Sequence, residues 1–329
     1  MTASPPVLGA LDPAAPLPFG PDSVVRAVVA EPVTALLVQR ALVMDVAHPL
    51  VAGAVADHSD FQRRPLTRAW ATVDAALRLV FGDEPVARGA ARQIYAVHDH
   101  INGPVGDPKG ASRPGGDGAR GETAGAEGPG GEGARGHLEG GSGYSAHDAT
   151  LLMWVWATLV DTAETAFTRW VRPFRPAEAQ AFYDEMRSFG RFFGIPDGLL
   201  PPDRAAFSSY LDDMLDSELL GSSVASRSLA RQVLWFEHRV VPSPLVRVER
   251  VLALATLDAR LVDRLGIRPD AADVELGRRV DAWLSSHYRR FPRPPRVLPA
   301  LYVLMRRPSV GLAGRARATL SRARVRSGV

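Results

Sequence analysis

The chain has 329 residues, 46% of them hydrophobic and 23% charged, with a formal net charge of +3 and no cysteine. This length suits one large domain or two modest ones, and so small a net charge gives no footprint of a nucleic-acid binder. The missing cysteine excludes disulfides, thiolate-ligated haem, iron–sulfur clusters, cysteine-based zinc sites and a cysteine nucleophile.

Residues 1–20 are rich in proline and alanine and read as an extended arm. They have no basic n-region and no continuous apolar run, so no signal peptide is expected. From Ser23 to about Val51 the pattern is helical, interrupted at Pro32 and Pro49. Pro32 suits a first helical position, where its missing N–H is no loss. The most apolar stretch, "AVVAEPVTALLVQRALVMDV", is broken by Glu31, Pro32 and Arg40, so no transmembrane segment and a cytoplasmic location are expected. Pro65 to Phe81 repeats Leu66, Ala69, Trp70, Val73, Leu77 and Val80 at helical spacing, and Gly82 stops it. Pro85 to His100 reads as a further helix carrying Arg92, Tyr95 and His98.

Residues 102–143 then hold 16 of the 30 glycines and almost no large apolar side chain. Such a segment buries too little to offset its ordering entropy, so it reads as a disordered insertion within the domain. Helical patterning resumes in "YSAHDATLLMWVWATLVDTAETAFTRWV", with Asp148 as a suitable N-cap. Pro176–Gly194, Asp203–Leu220, Ser222–Val240, Leu245–Leu265 and Ala271–Tyr288 follow as helices, and residues 311–329 form an arginine-rich, solvated tail. No strand pattern and no repeat stands out. The expected fold is all-α: one multi-helix domain over residues 21–310, with the insertion inside it.

Histidine is the natural place to look for chemistry. His48 stands in "VAHPL", His98 and His100 in "YAVHDHING", and His147 in "YSAHDA". On a regular helix His98 and His100 diverge by about 200°. If the helix ends there, as "HINGP" suggests, both can point into one cavity; a hydrogen-bonded structural role at a helix end is the plain alternative. There is no HExxH, no repeated Glu-x-x-His and no phosphate-cradling GK[ST], and Ser145, His147 and Asp148 on one segment do not make an oriented triad. Lys109, the single lysine, lies in the glycine-rich segment, which argues against a buried catalytic amine. Trp154 and Trp156, two positions apart, point about 200° from each other on a helix. Leu152, Leu159, Val160 and Ala163 stand at i−4, i+3, i+4 and i+7 from Trp156, so this position is expected to look inward.

Four stretches taken together, "QRALVMDVAHPLVAGAVADHSDF", "RGAARQIYAVHDHINGPV", "YSAHDATLLMWVWATLVDT" and "FYDEMRSFGRFFGIPDGLLPP", resemble the MpaB-type oxygenase family, which includes the latex clearing proteins. The resemblance spans about residues 20–310, apart from the insertion. It implies an all-α protein that binds haem b and oxidises a small apolar organic substrate; the charge balance leads one to expect no nucleic-acid partner. It implies further that Arg92 pairs with a haem propionate and that His98 or His100 serves as iron ligand or proton donor. In the family pattern the segment matching "LLMWVWATL" reads Trp-Val-His-Ala-Thr-Leu, and its histidine is the proximal iron ligand. Here that position is Trp156, whose indole is a hydrogen-bond donor only and cannot ligate iron. Either another histidine (His98, His100, His48 or His147) takes the ligand role, or the chain is a haem-less pseudo-oxygenase, a non-catalytic apolar-ligand-binding or structural protein.

Overall fold

The computed structural model describes residues 19–20, 22–58, 65–104, 143–236 and 243–290. The expected insertion (except its two edges), most of the N-terminal arm and the arginine-rich tail lie outside the described residues.

The described chain is all-α, as its periodicity implies. The Ser23–Val51 pattern resolves into four helices: α1 (Val24–Val29), α2 (Pro32–Ala35), α3 (Val38–Ala47) and α4 (Pro49–His58). The two prolines make the breaks. Pro32 opens α2 as a first residue, and the chain turns by 103° between the α2–α3 run and α4, at His48. Next come α5 (Pro65–Phe81) and α6 (Glu84–His98), which pack as a helical hairpin. The edges of the glycine-rich segment pair as a short antiparallel ladder, β1 (Asn102–Pro104) with β2 (Gly143–Ser145), where the sequence shows no strand signal. Tyr144 anchors this ladder: it is buried, and its hydroxyl donates to Asp57 Oδ2 at 2.7 Å.

The central element is α7 (Ala149–Ala166), capped by Asp148, whose carboxylate accepts from the Thr150 and Leu151 N–H groups. It packs against α1, α2 and α3, and against α8 (Pro176–Phe192). Its last turn widens into a π-helical segment, Phe167–Val171, the kind of local widening that re-aims side chains. There Trp170 Nε1 and the Arg169 guanidinium both donate to Asp281. The remaining helices are α9 (Arg204–Asp216), α10 (Val224–Leu234), α11 (Ser243–Thr256), α12 (Ala259–Arg264) and α13 (Ala271–His287). Leu245–Leu265 reads as one helix in the sequence but forms two, because Asp258 leaves helical geometry to cap α12 through the Arg260 N–H.

α3 and α7 form the middle of one large core. Their interface carries polar ties: Trp154 Nε1 donates to Met44 O at 3.0 Å, and Thr158 Oγ1 donates to Asp45 Oδ1 at 2.5 Å. Arg40 reaches from α3 to Thr162 and Asp161. A smaller cluster, Leu79, Ala90, Ala91 and Phe192, joins the α5–α6 hairpin to the end of α8.

Candidate functional site

The two tryptophans of α7 face opposite walls, as their spacing requires. Trp154 turns to α3. Trp156 turns to α8 and α9, where it is buried, meets the rings of Tyr183 and Phe207 edge-on at 6.2 and 5.5 Å, and donates from Nε1 to Met186 O at 2.6 Å. The Met186 carbonyl belongs to the α8 turn that ends at Gly190. A Cβ built on Gly190 would lie 3.2 Å from the indole nitrogen and 2.9 Å from Leu200 Cδ2. The bare glycine therefore opens the helix surface at the point where the indole N–H reaches backbone. A glycine inside a helix costs about 0.5–1 kcal/mol relative to alanine, and here the seat of Trp156 supplies a reason for it. Leu159, grouped with the inward side by spacing, is 39% exposed and lies on the flank of the helix.

The histidines gather at the other end of α7. α6 ends at His98, and the ring of His98 meets His147 edge-on at 6.0 Å. His147 Nε2 donates to Asp99 Oδ1 at 2.8 Å, and its ring lies 5.7 Å from that of Tyr95. The Tyr95 hydroxyl oxygen is buried without a hydrogen-bond partner, and burial pushes its pKa up. The α6 terminus thus brings His98 and His147 together. It does not bring in His100, which is exposed and whose Nδ1 donates back to Ala96 O at 2.7 Å. Arg92 is exposed on α6. His48 is buried at the α3–α4 corner, where its Nδ1 accepts from the Leu50 N–H at 3.3 Å. Burial drives its pKa down to about 4, opposed by the nearby Asp148 carboxylate, so the ring is neutral around pH 7.

Trp156 lies eight residues beyond Asp148 on α7, about 12 Å along the axis at the usual rise. The histidine cluster and the indole are therefore at different levels of the molecule. At the position where the resemblance leads one to expect a proximal histidine, the residues do not fit haem: the ring there is a donor, is committed to Met186 O, and is packed against Tyr183, Phe207 and Gly190. Among the described residues no group of three His, Asp or Glu side chains is arranged to hold a metal ion. Sequence reasoning found Trp156 but missed Gly190 and Met186. The available signal was a glycine in the interior of "EMRSFGRFF", since mid-helix glycine usually marks a close approach.

Residues 26–287 match the model of the family described as ER-bound oxygenase mpaB/B'/Rubber oxygenase, catalytic domain. Two uncharacterised mycobacterial proteins, from Mycobacterium bovis and Mycobacterium tuberculosis, are each 36% identical over 77 residues, which cover 22% of this chain and 29% of each relative. The chain thus matches less than a third of the length of these curated relatives. No solved structure matches it. The helical architecture, the block order around α3, α6, α7 and α8, and the extent of the family match lead to one conclusion: the chain belongs to the ER-bound oxygenase mpaB and rubber oxygenase catalytic-domain family.

Proposed function

We propose that this chain is a haem-less member of its oxygenase family, a binding or structural protein built on the catalytic-domain scaffold. The seat of Trp156 supports this reading. A ligand at that position would need a lone pair directed into open space, and the indole instead presents an N–H held by a backbone carbonyl. The fall in pKa of His48 leaves a neutral ring, but one already accepting the Leu50 N–H at a helix corner. The test is an absorption spectrum and pyridine haemochrome assay on the full chain expressed with a haem precursor. No Soret band in the wild type, before or after haem titration, is the expected result. A stoichiometric band would overturn it.

The second reading is the family's own chemistry: haem-dependent oxygenation of a small apolar organic substrate, with His98 as the substitute ligand. It rests on the family match and on the paired rings of His98 and His147 at the α6 terminus. Under it the wild type shows a Soret band that disappears in His98→Ala and persists in His100→Ala.

A further inference from the structure

α13 packs one side on α11 and on the π-helical segment, burying Asp273, Gly277 and Leu284, and turns the other side to solvent. On the solvent side Arg279, Trp283, Ser286 and Arg290 recur at intervals of three and four residues, so they share one face. Trp283 is 48% exposed, and its ring stacks on that of His287 one turn on, with 5.4 Å between centroids and 14° between planes.

A lone exposed tryptophan needs no explanation. Its charge surroundings set this one apart. The three acidic side chains of α13 are each covered by arginine: Asp273 by Arg247 and Arg250, Glu275 by Arg278 and Arg279, and Asp281 by Arg169. Arg289 and Arg290 follow on a short 3₁₀ turn, both exposed. Asp281 is also the last acidic residue of the sequence. The 48 residues after it hold eleven arginines, whereas residues 1–281 carry an excess of eight negative charges. Within that basic stretch stands one apolar run, "VLPALYVLM" (297–305), with Arg293 and Arg296 before it and Arg306 and Arg307 after it. Duplex nucleic acid, or the acidic body of a second copy, would answer the arginines but supplies no hydrocarbon layer for the indole and the apolar run. An anionic bilayer supplies both: charged headgroups for the guanidiniums, and an interface that takes up tryptophan and the stems of arginine.

We propose that the C-terminal end of α13 is a docking surface for an anionic phospholipid membrane, with Trp283 at the headgroup boundary and Arg289, Arg290 and the basic chain beyond them on the headgroups. An apolar contact joined to a polybasic one is the two-signal arrangement that holds a protein reversibly on a membrane. The acidic body is repelled by the same surface, which orients the molecule with this end of α13 towards the lipid. The surface stands whether or not the chain holds haem, because α13 contributes nothing to the Trp156 seat or to the histidine cluster.

The test is co-sedimentation of the full-length protein with vesicles of phosphatidylcholine alone and of phosphatidylcholine and phosphatidylserine in equal parts, with a DNA duplex titrated in parallel at the same ionic strength. Binding to the anionic vesicles alone, weakened by added salt, is expected. Lipids brominated on the acyl chain should quench the tryptophan emission, and Trp283→Ser should remove most of that quenching. Trp283→Ser, and separately the pair Arg289→Gln and Arg290→Gln, should each weaken vesicle binding roughly fivefold or more. All three side chains face solvent, so the fold survives these changes, and an unchanged urea midpoint verifies it. No binding to the anionic vesicles, equal binding to the neutral ones, unchanged affinity in either variant, or tighter binding to the duplex would each overturn the proposal.

Discussion

Trp156 and Gly190 act as a single unit, and their energetics should show it. Truncating a buried tryptophan to alanine costs roughly 3–5 kcal/mol, and Trp156→Ala should fall in that range by urea denaturation. Gly190→Ala has two opposing terms. Helix propensity favours alanine by about 1 kcal/mol, while the new methyl group would press on Leu200 at 2.9 Å and on the indole nitrogen at 3.2 Å. In the wild type the clash dominates and Gly190→Ala destabilises. Once Trp156 is alanine, the methyl group has the vacated space to relax into, and the same substitution becomes neutral or stabilising. The double-mutant cycle should therefore show a coupling of about 1 kcal/mol or more. Strict additivity would mean that the glycine is not there for the indole. The same pair bears on haem. Trp156→His alone puts an imidazole beside a helix surface shaped for a larger ring, so regaining a ligand type is a smaller change than regaining a pocket.

At the scale of elements, one close joint ties the turn between α9 and α10 to two separate helices. Gly221 has a positive φ of 74°, its N–H donates to Ala47 O at the end of α3 at 2.8 Å, and an added Cβ would lie 3.0 Å from the Arg264 carbonyl group at the end of α12. Both the backbone conformation and the space exclude a side chain. Gly221→Ala should cost roughly 1–3 kcal/mol, read as a lower denaturation midpoint with an unchanged m-value; a neutral result would mean that the packing of this turn on α3 and α12 is loose. Such joints also explain what the sequence could and could not reveal. The helices α5, α6, α7 and α13 were legible because each has an apolar stripe, a proline or Asp/Ser start, or both. The Asp148 cap and the helix start at Pro32 followed from local chemistry. The division of Leu245–Leu265 at Asp258 was hidden, since its apolar period continues across the break and only the tertiary need to turn back selects the cap. The β1–β2 ladder was hidden for the opposite reason: its pairing is held by Tyr144 reaching Asp57, a contact between residues 87 positions apart. In the candidate site, the inward direction of Trp156 was legible from phase, whereas its acceptor on α8 and the meeting of His98 with His147 depend on packing that no single segment encodes.

For the whole molecule, buried His48 and half-buried Glu249 give the stability curve a shape that can be worked out in advance. Burial lowers His48 from 6.5 to about 4 and raises Glu249 from 4.5 to about 7. For His48, the unfolded chain takes up a proton as pH falls below 6.5 while the native ring stays neutral until about 4, so stability is lost on acidification through that window. Glu249 has the opposite sign. The native carboxyl keeps its proton up to about 7 while the unfolded one releases it above 4.5, so stability is lost as pH rises through that window. The windows overlap between 4.5 and 6.5. The salt-bridged carboxylates Glu178 and Glu275, held down to about 2 by their arginine partners, act only below 4.5. The wild type should therefore show a shallow pH dependence across the overlap, because two slopes of opposite sign offset each other. His48→Asn should uncover the Glu249 slope, with stability falling as pH rises. Glu249→Gln should uncover the His48 slope, with stability falling as pH drops. Urea midpoints for the three proteins across the overlap decide the matter: diverging slopes support the two burials, and three parallel lines would show that neither group is desolvated in solution.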